Sequence, residues 1–199
     1  MGLSEDEKDA LLEIFNIAVG TAASTLSEMV GSEVQLSLPD LALIERPELM
    51  RKTKSTVSAI YQDFEASFGE GRAVLTFPEE KSLGLVSALM GQETVPPEIT
   101  SLEEEALTEV GNIILNACLA RLSDMAREEI VVSVPRYQKA DALGVIAPSD
   151  SALDGALLLS IQFDLEDRAI EGRLLFFLEL DSLRTFVKSI EEQLMASGS

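Results

Sequence analysis

The sequence predicts an α+β fold: an antiparallel sheet with long helices packed on it, built from two similar αβ units about a pseudo-two-fold axis. Three observations predict it. Sliding the 199-residue chain by 96 positions lays residues 9–39 on residues 105–135, and 11 of the 31 pairs are identical, where ordinary residue usage gives roughly two. The matches include Ala10/Ala106, Leu11/Leu107, Glu13/Glu109, Asn16/Asn112, Ile17/Ile113, Leu26/Leu122, Ser27/Ser123, Met29/Met125 and Pro39/Pro135. Farther along, GRAVLTFPEEKSLGLVSALM at 71–90 parallels GRLLFFLELDSLRTFVKSIE at 172–191, an offset of 101. Finally, the apolar runs are hairpin-like and lack regular βαβ crossovers, which points to antiparallel pairing. The expected organisation is a single domain over 1–199 made of two repeats, about 4–91 and about 100–195.

Each half opens with a helix. Ser4-x-x-Glu7 and Ser101-x-x-Glu104 have capping-box spacing, and Pro96-Pro97 isolates the second helix from what precedes it. Leu11, Phe15, Ala18, Ala22, Leu26 and Met29 step by three and four to make one apolar face. Leu107, Val110, Ile114, Cys118, Leu122 and Met125 do the same in the second helix, so Cys118 reads as a small core residue. Strands are expected at 33–38, 55–66, 71–77, 130–134, 156–164 and 171–180, from their Val, Ile, Thr and Phe content. Amphipathic helices follow at 79–90 and 181–195, and segments 44–54 and 138–155 read as connections.

Composition excludes several chemistries. With 15 Lys and Arg against 35 Asp and Glu, the formal charge is −20, which opposes binding to nucleic acid or to anionic membranes. There is no His, so no imidazole base, no Ser-His-Asp system and no His-ligated metal can be built within the chain. A single Cys forms no internal disulfide and suits a reducing compartment. The acidic start lacks the basic region of a signal peptide, and no run reaches the ~18 apolar residues of a membrane span. The expectation is a cytoplasmic protein. Adjacent carboxylates arise here by composition alone and identify no acid–base dyad.

The informative residues lie opposite the apolar stripe. Asp9, Glu13, Asn16 and Gly20 share one face of the first helix, and Glu105, Glu109, Asn112 and Asn116 share the matching face of the second. Asn is a poor mid-helix residue because its amide competes with the backbone, yet it is central in both. Two readings stay open from spacing alone. The asparagines are relics of duplication, or contacts across the pseudo-dyad; or they do chemistry. A carboxamide beside a carboxylate suits positioning a water or pairing with a lysine, and does not suit nucleophilic catalysis.

At these residues the chain resembles the CheC/CheX/FliY phosphatases of bacterial and archaeal chemotaxis, the CheC branch most. The family pattern is an acid or Ser, three residues, Glu, two residues, Asn, then 22 residues and Pro. Asp9, Glu13, Asn16 and Pro39 match it throughout. Glu105, Glu109, Asn112 and Pro135 match it except that Glu105 stands where Asp or Ser is usual, so the first site is expected to be the stronger. The resemblance implies hydrolysis of the aspartyl phosphate of the response regulator CheY, which ends its signal to the flagellar motor. It implies that Asn16 or Asn112 orients the attacking water, while Glu13 or Glu109 pairs with the regulator's active-site lysine. Asp9 and Glu105 flank the motifs as docking residues, and Pro39 and Pro135 shape the chain after each helix. It implies no cofactor of the chain's own, the Mg²⁺ being supplied by the regulator. The CheC branch also binds the deamidase CheD through an extra helix in the second half, which here corresponds to about 139–148, KADALGVIAP.

Two rival functions are expected to be separable from this one. One is a non-catalytic adaptor that keeps the motifs and binds CheY, CheD or the flagellar switch. The other is a flagellar switch module like the FliM middle domain, which shares the fold but lacks the ExxN pairs. FliM also carries a regulator-binding peptide and a further switch domain. The first motif begins at residue 9 and one helix follows the last strand, so neither appendage is expected here.

Overall fold

The computed structural model describes residues 3–45, 48, 56–92, 94–141, 155–165, 168–179, 181–182 and 184–188. Helix α1 (Glu5–Val30) leads into β1 (Val34–Glu45), then the hairpin of β2 (Thr56–Ala66) and β3 (Gly69–Pro78), then α2 (Glu79–Leu89). Helix α3 (Ser101–Ala126) leads into β4 (Val131–Val132) and β5 (Arg136–Asp141), then the hairpin of β6 (Gly155–Leu165) and β7 (Arg168–Leu178). Residues 181–182 and 184–188 are helical. The sheet is antiparallel throughout, in the order β1-β6-β7-β3-β2-β4, with β5 also on β2.

The order interleaves the two halves of the chain. β1 pairs with the later hairpin through β6, while β4 and β5 pair with the earlier one through β2. At the centre β3 lies against β7, and Val74 faces Leu175, residues 101 apart. Gly71 and Gly172 share that offset and the same need. A Cβ on Gly71 would stand 2.6 Å from the Phe177 carbonyl oxygen, and one on Gly172 2.8 Å from that of Thr76. Side chains there would push the two central strands apart.

Helices α1 and α3 lie on one face of this sheet. In α1 the buried residues are Leu11, Ile14, Phe15, Ala18, Val19, Ala22, Ala23 and Leu26. The residues 96 positions later are all buried in α3, Gly111 and Cys118 among them. Together they form the main core with β-strand residues such as Leu38, Ile60, Leu75, Phe163 and Phe176. Burial pushes the Cys118 thiol up to about 12, so it stays protonated and inert as a packing group. A smaller apolar cluster, with Val74, Leu175 and Phe177, occupies the other face of the sheet.

Several sequence expectations need correction. Met29 is 48% exposed and leaves the apolar face. The second capping box is Thr100 with Glu103, one residue earlier than Ser101 with Glu104: the Thr100 N–H donates to the Glu103 carboxylate at 3.0 Å, and its hydroxyl donates to the same oxygen. These donors hold Glu103 below the usual carboxylate range. The first box, Ser4 with Glu7, forms as expected. The first strand continues beyond Pro39 to Glu45, and residues 138–141 are not a connection but part of β5. Helix α1 is long and apolar enough, by length and composition, to cross a bilayer; its buried residues, Leu11 to Leu26, pack into the main core with residues of the sheet. The rest of segments 44–54 and 138–155, apart from residue 48 and Gly155, lies outside the described residues, as does the end of the last helix.

Candidate functional site

The motif residues occupy the outward faces of α1 and α3. Asp9, Glu13, Asn16 and Gly20 are exposed, as are Glu105 and Glu109, while Asn112 and Asn116 are half-buried. Neither Glu13 nor Glu109 has an ion-pair partner among the described residues. Asn16 and Asn112 do not bond to each other: Asn16 is held by residues of its own half, and Asn112 by Asn116, which Gln62 of the first half holds in turn.

Asn16 is bound to the sheet. Proline has no N–H, so β1 passes Pro39 only by a bulge, and its register against β6 slips between Ser37 and Asp40. The groups so displaced at Leu38 are taken up by the carboxamide. The Leu38 N–H donates to Asn16 Oδ1 at 3.0 Å, and Asn16 Nδ2 donates to the Leu38 carbonyl at 3.4 Å and to that of Leu12 at 2.9 Å. Both amide hydrogens are in use. The 22-residue interval from Asn to Pro is thus the length of chain from the helix face to the bulge it ties down. Beside it Lys8 pairs with Asp40 at 2.8 Å, which raises the lysine and lowers the carboxyl.

Asn112 meets different surroundings. Pro135 stands between β4 and β5, and the backbone there is satisfied from β2 instead of from the helix. The Ser133 N–H donates to the Asp63 carbonyl at 2.8 Å, and the Asp63 N–H donates to Ser133 Oγ at 3.0 Å. Buried Gln62 donates from Nε2 to the Ser133 carbonyl at 3.1 Å and to Asn116 Oδ1 at 3.3 Å. Asn116 Nδ2 in turn donates to Asn112 Oδ1 at 2.7 Å. No hydrogen bond of Asn112 Nδ2 is found among the described residues. Val134, the counterpart of Leu38, is 79% exposed where Leu38 is 3%.

Charge also differs between the two sites. The positions matching Lys8 and Asp40 are Glu104 and Arg136, with the signs reversed. Both line an open groove with Glu105, Glu109, Tyr61 and Tyr137. Among the described residues no three Asp, Glu and Cys side chains come together as a metal cage.

Sequence reasoning missed Gln62 and Ser133. A lone Gln inside the apolar run SAIYQDF, and the identity of Ser37 with Ser133 in the 96-residue alignment, were the available signals. Residues 139–141 of the stretch matched to a CheD-binding helix lie in β5; its remaining residues lie outside the described ones.

No family model matches the chain. Over 201 residues it is 24% identical to the flagellar motor switch phosphatase FliY of Bacillus subtilis, covering 99% of this chain and 51% of FliY. Over 142 residues it is 25% identical to the CheY-P phosphatase CheC of the same organism, covering 67% of this chain and 66% of CheC. The chain therefore spans about half the length of FliY and about two thirds of CheC. The crystal structure of Thermotoga maritima FliY superposes with a TM-score of 0.75 at 23% identity, over 97% of this chain and all of that one. The FliM middle domain of H. pylori, at 12% identity, gives 0.67 over 94% and 99% of the two chains. The structural matches establish the fold.

Proposed function

We propose, from the premise that this chain is a CheC/CheX/FliY-type protein in sequence and fold, that it hydrolyses the aspartyl phosphate of a CheY-type response regulator in the cytoplasm. The observation that carries the reading is the Glu-x-x-Asn pair of α3, in which the exposed Glu109 carboxylate lacks an ion-pair partner among the described residues and the half-buried Asn112 amide nitrogen has no hydrogen-bond partner among them. The curated relatives named as phosphatases support it. The same reading treats the chain as one domain of two repeats.

In this reaction the water oxygen bonds to phosphorus as the bond to the aspartyl oxygen breaks. The regulator's carboxylate is released, and inorganic phosphate carries the water's hydrogens. The chain has no His to act as a base. Its contribution is positioning, as with the water-orienting glutamine of a GTPase. Glu109 pairs with the regulator's lysine and fixes the docked helix. Asn112 accepts a hydrogen of the water and donates to a phosphoryl oxygen. The Mg²⁺ belongs to the regulator. Glu105 and Arg136 flank the docked surface.

The test is phosphate release from phosphorylated CheY with this protein at about one-hundredth of the regulator. Turnover beyond the regulator's own decay is expected, and the Asn16→Ala/Asn112→Ala double variant should abolish it with the fold intact. Loss of signal only at equimolar protein would instead identify an adaptor. A pull-down with purified CheD tests that partnership separately.

A further inference from the structure

We propose that Ser133, Gln62 and Asn116 form a polarity relay that orients Asn112, making Asn116 and Gln62 positioning residues of the α3 site. The proposal rests on the phosphatase reading for its consequence, but its geometry stands on its own.

The relay starts at a group whose polarity is fixed. The Ser133 backbone carbonyl can only accept, so the Gln62 atom 3.1 Å away must be the Nε2 donor. The same Nε2 lies 3.3 Å from Asn116, so Asn116 must present its Oδ1 there and its Nδ2 on the other side. That Nδ2 lies 2.7 Å from Asn112, which must therefore offer Oδ1 inward. Each amide is thus oriented by its neighbour. The last one is left with both Nδ2 hydrogens without a partner among the described residues and with a second lone pair on Oδ1. These are the two functions needed to donate to a phosphoryl oxygen and accept from a water. Gln62 is 1% exposed and its Oε1 has no hydrogen-bond partner among the described residues, a cost the structure bears to keep Nε2 on Ser133. The first half cannot repeat the device. Gly20 stands where Asn116 does, and the strand registers place Ile161 of β6 where Gln62 stands on β2.

The discriminating variant is Asn116→Asp. The carboxylate keeps an acceptor for Gln62 but cannot donate to Asn112, so the Asn112 amide must turn its NH₂ inward. The expected result is a kcat on phosphorylated CheY lowered about tenfold or more, with KM little changed, because an interaction made in the transition state is lost while docking is kept. Asn112→Ala, which removes the oriented group itself, should lower kcat at least as far, and the unfolding midpoint should stay near the wild-type value. Side-chain amide NMR reads the orientation without any activity. The Asn112 NH₂ signals should exchange with solvent in the wild type and become protected in Asn116→Asp. Protected Asn112 hydrogens in the wild type, or an unchanged pattern in the variant, would overturn the relay. So would wild-type kcat in Asn116→Asp while Asn112→Ala is inactive. A wild type that shows no turnover, yet gives the expected NMR pattern, would remove the phosphatase reading and leave the relay.

Discussion

The two motif helices bury matching stripes of residues yet use the same asparagine in opposite ways. On α1 the Asn16 carboxamide ties down a strand bulge, and Leu38 beneath it is closed to solvent. On α3 the strand break is satisfied by Gln62 and Asp63 of a neighbouring strand. Asn112 is thereby released from structural duty, and Val134 stands open. The lesson is that a sequence motif fixes residue type and spacing but not occupation. A carboxamide can do chemistry only where other groups hold the backbone.

The largest expected effect separates the two asparagines. Asn112→Ala should cost about a hundredfold in phosphatase kcat, the order found when one positioned transition-state donor is removed, with little change in stability. Asn16→Ala should leave the rate within about twofold, but lower stability by about 1–2 kcal/mol, because the Leu38 N–H and carbonyl lose their partner. Parallel kinetics and urea unfolding read both. Equal kinetic losses would make the sites equivalent and break the comparison. A larger loss from Asn16→Ala would restore the sequence expectation, drawn from Glu105, that the first site is the stronger.

Glycine placement sharpens the same contrast. Gly111 matches Phe15 of α1, and a Cβ on it would fall 2.4 Å from Ile60 Cγ2 and 2.6 Å from Ile60 Cβ. The missing side chain lets α3 settle close to β2, which is where Gln62 lies. Gly111→Ala should therefore overpack the core by about 1–3 kcal/mol and also lower kcat, as Asn116 is lifted from Gln62. Gly20 has nothing within 4 Å of an added Cβ, so Gly20→Ala should stabilise α1 by about 0.5–1 kcal/mol. Thermal unfolding of both variants is the check, and a stable Gly111→Ala would show that Ile60 can move aside.

Much of this was legible in the sequence. Periodicity located both long helices, because their apolar stripes are set by one helical face meeting one sheet. The 96-residue offset even carried a correction that spacing rules missed: it maps Ser4 and Glu7 onto Thr100 and Glu103, the box that forms. β5 was harder, since its sequence RYQKAD is mostly polar, with Arg136, Gln138 and Lys139 exposed, and owes its extended form to pairing with β2. The difference between Asn16 and Asn112 was not legible at all. It is decided by β2 residues some fifty positions away from Asn112, through hydrogen bonds that no local pattern encodes.

The smallest effect concerns the helix ends. α1 stops at Gly31, with φ 72°, and α3 stops at Arg127, with φ 55°. Arg127 is the one non-glycine residue with positive φ among the described residues. The left-handed conformation costs an L residue about 1–2 kcal/mol, partly offset when glycine is substituted because its unfolded chain gains freedom. Arg127→Gly should thus raise stability by about 0.5 kcal/mol, and Gly31→Ala should lower it by about 1 kcal/mol. Urea midpoints resolve both at constant slope. Arg127 lies beyond the motif face of α3, so phosphatase kcat should stay at the wild-type value in Arg127→Gly. A kinetic change there would mean that the groove beside Glu109 responds to the far end of its helix, and the contrast between a tied and a free asparagine would then be incomplete.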